Sequence, residues 1–176
     1  MYKRQNFDRI YDNYANKESE GTVLIKKHTD KDIVECIRRG DRLILKAHGS
    51  IDDTNNLIFT RREYAQARER HVAFYRLMDS LVLTNTVLMI GVGLDDPDFQ
   101  LLFEDHAARL ESGLPHYMTS ADKLPIDAIT TLRDTRNIKI FNYSSKSNHI
   151  ELVNSLNSLV EAVQLKRDDL SRSQDW

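Results

Sequence analysis

The chain of 176 residues has a single cysteine, no glycine before Gly21, no surplus of either charge and no long apolar run. One thiol excludes an internal disulfide and any zinc site built from several thiolates; Cys36 lies in a helical stretch, where a small buried apolar role is the default. A formal net charge of -2 and a pI near 6.3 supply no basic field for nucleic acid phosphates, which sets DNA and RNA binding aside. No apolar stretch approaches the roughly 20 residues of a membrane span, and Met1-Tyr-Lys-Arg-Gln leads into no signal-peptide core, so a cytoplasmic location is expected. There is no internal repeat, low-complexity block or linker. With 40% hydrophobic and 30% charged residues, the composition is that of one ordinary soluble domain, expected over residues 1–165 with a polar, fraying tail over 166–176.

What is present is an alternation of strand-like and helix-like periods. Residues 8–15 read as a short helix and 22–25 as a strand. Asp30 or Asp32 can cap a helix that ends at Gly40, and 42–47 is an apolar strand. A short strand at 57–59 precedes Thr60, which can cap the longest helix of the chain, running to about Asn85 with Tyr64, Ala67, His71, Phe74, Met78 and Leu81 on one face. The same rhythm continues with a strand over 86–91 and a helix over 97–110. A strand at 115–118, a helix at 126–135 and a strand at 138–141 follow. The last helix, 149–165, is expected to bury Val153, Leu156, Val160 and Val163. Strands alternating with helices imply an α/β fold, a Rossmann-like three-layer sandwich around a mostly parallel sheet.

Two strand ends stand out. Arg42-Leu-Ile-Leu-Lys-Ala-His48-Gly49-Ser50 delivers an imidazole to the carboxyl edge of a sheet, where open α/β folds bind their ligands. Thr86-Val-Leu-Met-Ile-Gly91-Val92-Gly93 repeats the design and runs into Asp95-Asp96-Pro97, a helix cap followed by proline at the first helical position. Two such edges point to a nucleotide site.

Three blocks in this order and spacing carry a resemblance: Lys46-Ala47-His48-Gly49-Ser50-Ile51-Asp52, then Phe59-Thr60-Arg61-Arg62-Glu63-Tyr64, then Leu88-Met-Ile-Gly91 with Asp95-Asp96-Pro97. Together they resemble the second half of the sirtuin-like domain of bacterial defence proteins, the silent-information-regulator-2-like NAD hydrolases. The likeness extends from about residue 6 to about residue 165. That family carries a glycine-rich turn after its first strand, and a Thr-x-Asn-aromatic-Asp motif downstream. Here Gln5-Asn6-Phe7-Asp8 matches only the end of that second motif, so the N-terminal strand and phosphate loop are expected to be missing from this stretch. Glycine-rich loops supply the backbone N–H groups that hold pyrophosphate; by itself the stretch should bind NAD poorly unless another segment completes the site.

The resemblance implies cleavage of NAD to nicotinamide and ADP-ribose, with NAD as substrate and no metal. A neutral leaving group departs from a pyridinium, so the site needs no strong acid; it stabilises an oxocarbenium-like ribose and manages a water or hydroxyl. An imidazole can take a proton and an amide can orient water through both its ends. On this basis His48 would be the base, Asn6 the positioning amide, and Asp8 would face the nicotinamide side or brace Asn6. Gly49, Gly91 and Gly93 would let backbone approach the dinucleotide, and Asp95 or Asp96 would accept hydrogen bonds from ribose hydroxyls. Deacylation is disfavoured, because the zinc-binding cysteine pairs of the deacylase sirtuins are absent. The resemblance also implies anti-phage defence, a fused or partner sensor and a homo-oligomer.

Plainer readings compete. Asn6 and Asp8 also read as an N-cap and a first-turn acid. His71 and His106 fall on apolar helix faces, and His28, His116 and His149 lack metal-ligand spacing. Arg61-Arg62-Glu63 with Arg68-Glu69-Arg70 reads as a solvated face with internal ion pairs. The alternative function is a non-catalytic interaction or assembly module derived from the same fold.

Overall fold

The computed structural model describes residues 7–94, 102–103, 113–121 and 123–173. The chain divides into two compact units: Met1–Asn85 with Gly93–Leu102, and Thr86–Val92 with Phe103–Trp176. Both are α/β, and among the described residues every strand pairing is parallel.

In the first unit, helix α1 (Ile10–Glu18) precedes strand β1 (Leu24–Lys27), helix α2 (Ile33–Arg38) and strand β2 (Leu43–Lys46). The ladder of β1 and β2 runs from Leu24 opposite Leu43 to Lys27 opposite Lys46. Asp32 stands at the N-cap position of α2, yet its carboxylate makes no capping bond and instead takes the Lys26 ammonium at 2.6 Å. Gly40 follows α2 with φ +75°, a left-handed turn that suits glycine.

Two expectations for the next segment are corrected. Residues 57–59 form no strand: the Ile58 amide donates to the His48 carbonyl at 3.1 Å, but the Phe59 amide is taken by the Glu63 carboxylate at 2.9 Å, which removes it from any ladder. The single long helix from Thr60 to Asn85 is two helices, α3 (Arg61–Arg70) and α4 (Val72–Thr84), separated by His71 at φ −114°, ψ 43°. At that break the His71 ring meets the edge of the His28 ring, centroids 4.8 Å apart. The apolar face runs on across it. Tyr64 and Ala67 from α3 join Phe74 and Tyr75 from α4, with Ile33 and Ile58, in one buried cluster against which Leu45 and Ala47 pack. Thr60 does start α3 as expected. Its hydroxyl accepts from the Glu63 amide while the Glu63 carboxylate accepts from the Thr60 amide, a complete capping box.

In the second unit, strands β3 (Leu88–Met89), β4 (His116–Ser120) and β5 (Ile138–Asn142) form a sheet in that order, with helix α5 (Ile126–Arg136) connecting β4 to β5. Among the described residues, Met89, Phe103, Met118, Leu132 and Ile138 are its buried side chains, Ile138 completely so. The anticipated strand over 86–91 shrinks to two residues. Of the helix expected over 97–110, Leu102 and Phe103 are helical and buried, and the remainder lies outside the described residues.

Helix α6 (Lys146–Ser173) corrects a third expectation. Ser147, Asn148 and His149 form a left-handed turn at its start, and the helix continues through the polar tail that was expected to fray. None of its residues is buried. Leu156 is half-covered, whereas Val153, Val160 and Val163 are 47%, 55% and 47% exposed. The stripe keeps a helical period, but period alone does not set how much of the chain covers it. Among the described residues, no helix is long and apolar enough to cross a membrane.

The capping box makes a measurable claim. Thr60→Ala should destabilise the protein by about 1 kcal/mol; an unchanged thermal midpoint would show that the box contributes nothing.

Candidate active site

Strand β2 ends at Lys46, and the chain turns at once. The Gly49 amide donates to the Lys46 carbonyl at 3.3 Å, and Gly49 adopts φ +87°. Glycine is required here on two counts. A left-handed conformation strains other residues, and a Cβ would stand 2.5 Å from the Asn56 carbonyl oxygen. The turn is braced further along. Asp53 accepts the Lys27 ammonium at 2.9 Å and the Asn56 side-chain amide at 3.0 Å, which hold its carboxyl below the ordinary range. The Ser50 hydroxyl does the same for Asp52.

This scaffold presents His48 half-buried beside two aromatic rings. Tyr64 meets its edge at 5.0 Å and Phe7 lies tilted at 6.5 Å; Phe7 in turn packs on Phe59 at 4.5 Å. Backbone contacts tie the N-terminal segment to the same turn. The Ile51 amide donates to the Phe7 carbonyl at 2.9 Å, and the Lys46 ammonium donates to the Asp8 carbonyl at 2.7 Å. The Phe7-Asp8 block and the Lys46-to-Ile51 block, far apart in sequence, are therefore neighbours. The side-chain carboxylate of Asp8 accepts the Ile10 amide at 3.0 Å, inside the first turn of α1.

Two features of the first unit were not foreseen. Lys46 is buried with Asp12 as a direct ion pair at 2.6 Å, side chains 4% and 6% exposed. A lysine inside an apolar strand run was the only signal of it in the sequence. His28, at the end of β1, is buried against His71 and Phe74, and its Nδ1 has no hydrogen-bond partner among the described residues. Burial, reinforced by the neighbouring His71 imidazole, holds the His28 pKa below its ordinary 6.5.

The other anticipated residues are distributed as follows. Gly91 belongs to the second unit, at φ +70° with open space where a Cβ would project; Gly93 belongs to the first. Asn6, Asp95 and Asp96 lie outside the described residues. Among the described residues, no group of three or more His, Cys, Asp and Glu side chains could hold a metal ion.

Residues 4–141 match the model of the SIR2-like domain family. The chain is also similar to the NAD(+) hydrolase ThsA of Enterococcus faecium, 25% identical over 118 residues that make up 66% of this chain and 24% of that protein. It thus spans about a quarter of the length of that relative.

Two outcomes follow from the geometry. Gly49→Ala should destabilise the protein by more than about 1 kcal/mol, read by thermal unfolding, because neither φ nor space is compatible with a side chain; a neutral effect would refute the described turn. Acid should act in two steps. The unfolded chain binds a proton at His28 near pH 6.5 while the folded chain resists it, so the stability this residue confers is complete above 6.5 and is lost as pH falls below it. Asp52, Asp53 and Glu63, whose pKa values are lowered, add losses only further down, below their ordinary 3.8 to 4.5. A His28→Gln variant should lack the upper step in a melting series across pH, and retention of that step would assign it elsewhere.

Proposed function

Since the chain belongs to the SIR2-like domain family, we propose that it is part of an NAD+ hydrolase that cleaves the bond between nicotinamide and ribose. The observation that carries this reading is the joining of the Phe7-Asp8 segment to the turn that bears His48, through the Phe7 and Asp8 carbonyls. That contact brings together the two motifs on which the proposed chemistry depends. The NAD(+) hydrolase activity of the similar enterococcal protein supports the same substrate.

In the proposed reaction the C1′–N bond of NAD+ breaks with its electron pair passing to the pyridinium nitrogen, so nicotinamide leaves neutral. Positive charge develops at the ribose C1′ and ring oxygen, water adds at C1′, and one proton is released: NAD+ and water give nicotinamide, ADP-ribose and H+. His48 is assigned as the group that accepts a proton from water or a ribose hydroxyl. The Phe7 and Tyr64 rings beside it are assigned to restrict the imidazole's orientation. Asn6 is assigned as the amide that orients water. Asp8, whose carboxylate serves α1, is assigned to hold the backbone that follows Asn6. Gly49, Gly91 and Gly93 are assigned to close backbone approach to the dinucleotide, and Asp95 or Asp96 to the ribose hydroxyls.

We assign the activity to the cytoplasm and to bacterial defence by NAD depletion, with regulation by a sensor segment or by association of copies. NAD is the partner that this reading names.

In the full-length protein, His48→Ala should lower nicotinamide release from NAD+ by at least about a hundredfold, the lower range for a positioned acid–base group, with the melting temperature preserved. Equal turnover in the variant would remove His48 from the mechanism. No turnover from the unmodified full-length protein would favour the non-catalytic module.

A further inference from the structure

The buried ion pair of the first unit is an unusual way to fill an apolar strand. Leu43, Ile44 and Leu45 precede Lys46 in β2, and a further aliphatic side chain would continue the pattern at no desolvation cost. An ammonium and a carboxylate taken out of water must instead be compensated by close geometry and by further hydrogen bonds. Both are present: Lys46 Nζ lies 2.6 Å from Asp12 Oδ2 and 2.7 Å from the Asp8 carbonyl oxygen. Asp12 lies in the first turn of α1 and Asp8 two residues ahead of the helix, so one ammonium holds both the helix start and the segment that leads into it. A non-directional apolar contact would let that helix slide or roll against β2. An ammonium that touches one carboxylate and one named carbonyl admits a single register.

The carbonyl that it holds belongs to the segment that forms one wall of the His48 site. Phe7, one residue before Asp8, faces the His48 ring and accepts the Ile51 amide from the turn after His48. Lys46 is two residues ahead of His48 in the chain. The same few residues therefore bind the N-terminal segment from both ends of the turn.

We infer that Lys46, braced by Asp12, is a positioning residue that sets where the Phe7-Asp8 segment stands relative to His48. The inference rests on the hydrolase reading for its catalytic consequence, but its structural part is testable without it. The geometry assigns Lys46 no contact with the reacting atoms. Its effect is exerted through the Asp8 backbone.

The test removes both charges together. Lys46→Met alone would leave Asp12 buried without a partner, whereas Lys46→Met/Asp12→Leu replaces the pair by apolar side chains of similar size, a change that buried pairs often tolerate. In this 176-residue chain, amide hydrogen exchange should show Ile51 exchanging at least about tenfold faster in the double variant, while the Leu24 and His28 amides in the β1–β2 ladder keep their protection. Unchanged exchange at Ile51 overturns the proposal. In the full-length protein the same variant should lower kcat for NAD+ cleavage by about tenfold to a hundredfold with KM within about twofold, because misplacing a positioned group costs rate rather than ground-state binding. Faster Ile51 exchange with unchanged kcat would overturn the positioning role. Faster exchange where even the unmodified protein cleaves no NAD+ would uphold the structural clamp and defeat the hydrolase reading instead. If the apolar pair does not fold, Lys46→Gln/Asp12→Asn, which removes both charges and keeps polar side chains, carries the same comparisons.

Discussion

The contact on which the proposed placement of the first unit's site depends is the one between the Lys46 ammonium, the Asp12 carboxylate of α1 and the Asp8 carbonyl ahead of that helix. Among the described residues, the segment before α1 also meets the His48 turn through the backbone hydrogen bond from Ile51 to Phe7 and through aromatic contact. A charge buried beside its partner has a strong preference for a particular geometry, and that preference is transmitted to the backbone on both sides. The stability such a pair adds over an apolar filling is small; what it adds is a defined placement.

The turn after β2 works by a similar economy. Gly49 permits the chain to reverse within a space that the Asn56 carbonyl closes to any side chain. Lys27 on the neighbouring strand anchors Asp53 across the loop, and the Ile58 amide returns to the His48 carbonyl. His48 is thus attached to the core on its peptide side and to Tyr64 on its ring side. A side chain held in this manner has little freedom left to lose, which suits the proton-accepting role proposed for His48.

Much of this was legible in the sequence, and the rest was hidden for identifiable reasons. The elements at β1, α2, β2, β4, α5 and β5, and the cap at Thr60, follow from period and capping residues, which are local properties. The apolar face from Tyr64 to Phe74 was legible too; its interruption at His71 was not, because the break coincides with contact to His28, more than forty positions earlier. Residues 57–59 have the composition of a strand, but the Glu63 carboxylate captures the amide that a ladder would use. Val153, Val160 and Val163 keep a helical period without a covering surface, and period alone does not report burial. In the site, His48 and Gly49 were legible as a strand followed by an imidazole and a turn. Lys46 with Asp12 was not, since in sequence a lysine after three aliphatic residues reads as an edge position rather than half of a buried pair.

The capping box of α3 has a reach beyond its helix. Glu63 receives the amides of Phe59 and Thr60, and the ring of Phe59 supports that of Phe7. A carboxylate on the solvent side of a helix end is thus linked, through one peptide unit and two rings in tilted contact, to the aromatic side chains beside the imidazole. Surface chemistry at this residue therefore bears on the surroundings of His48.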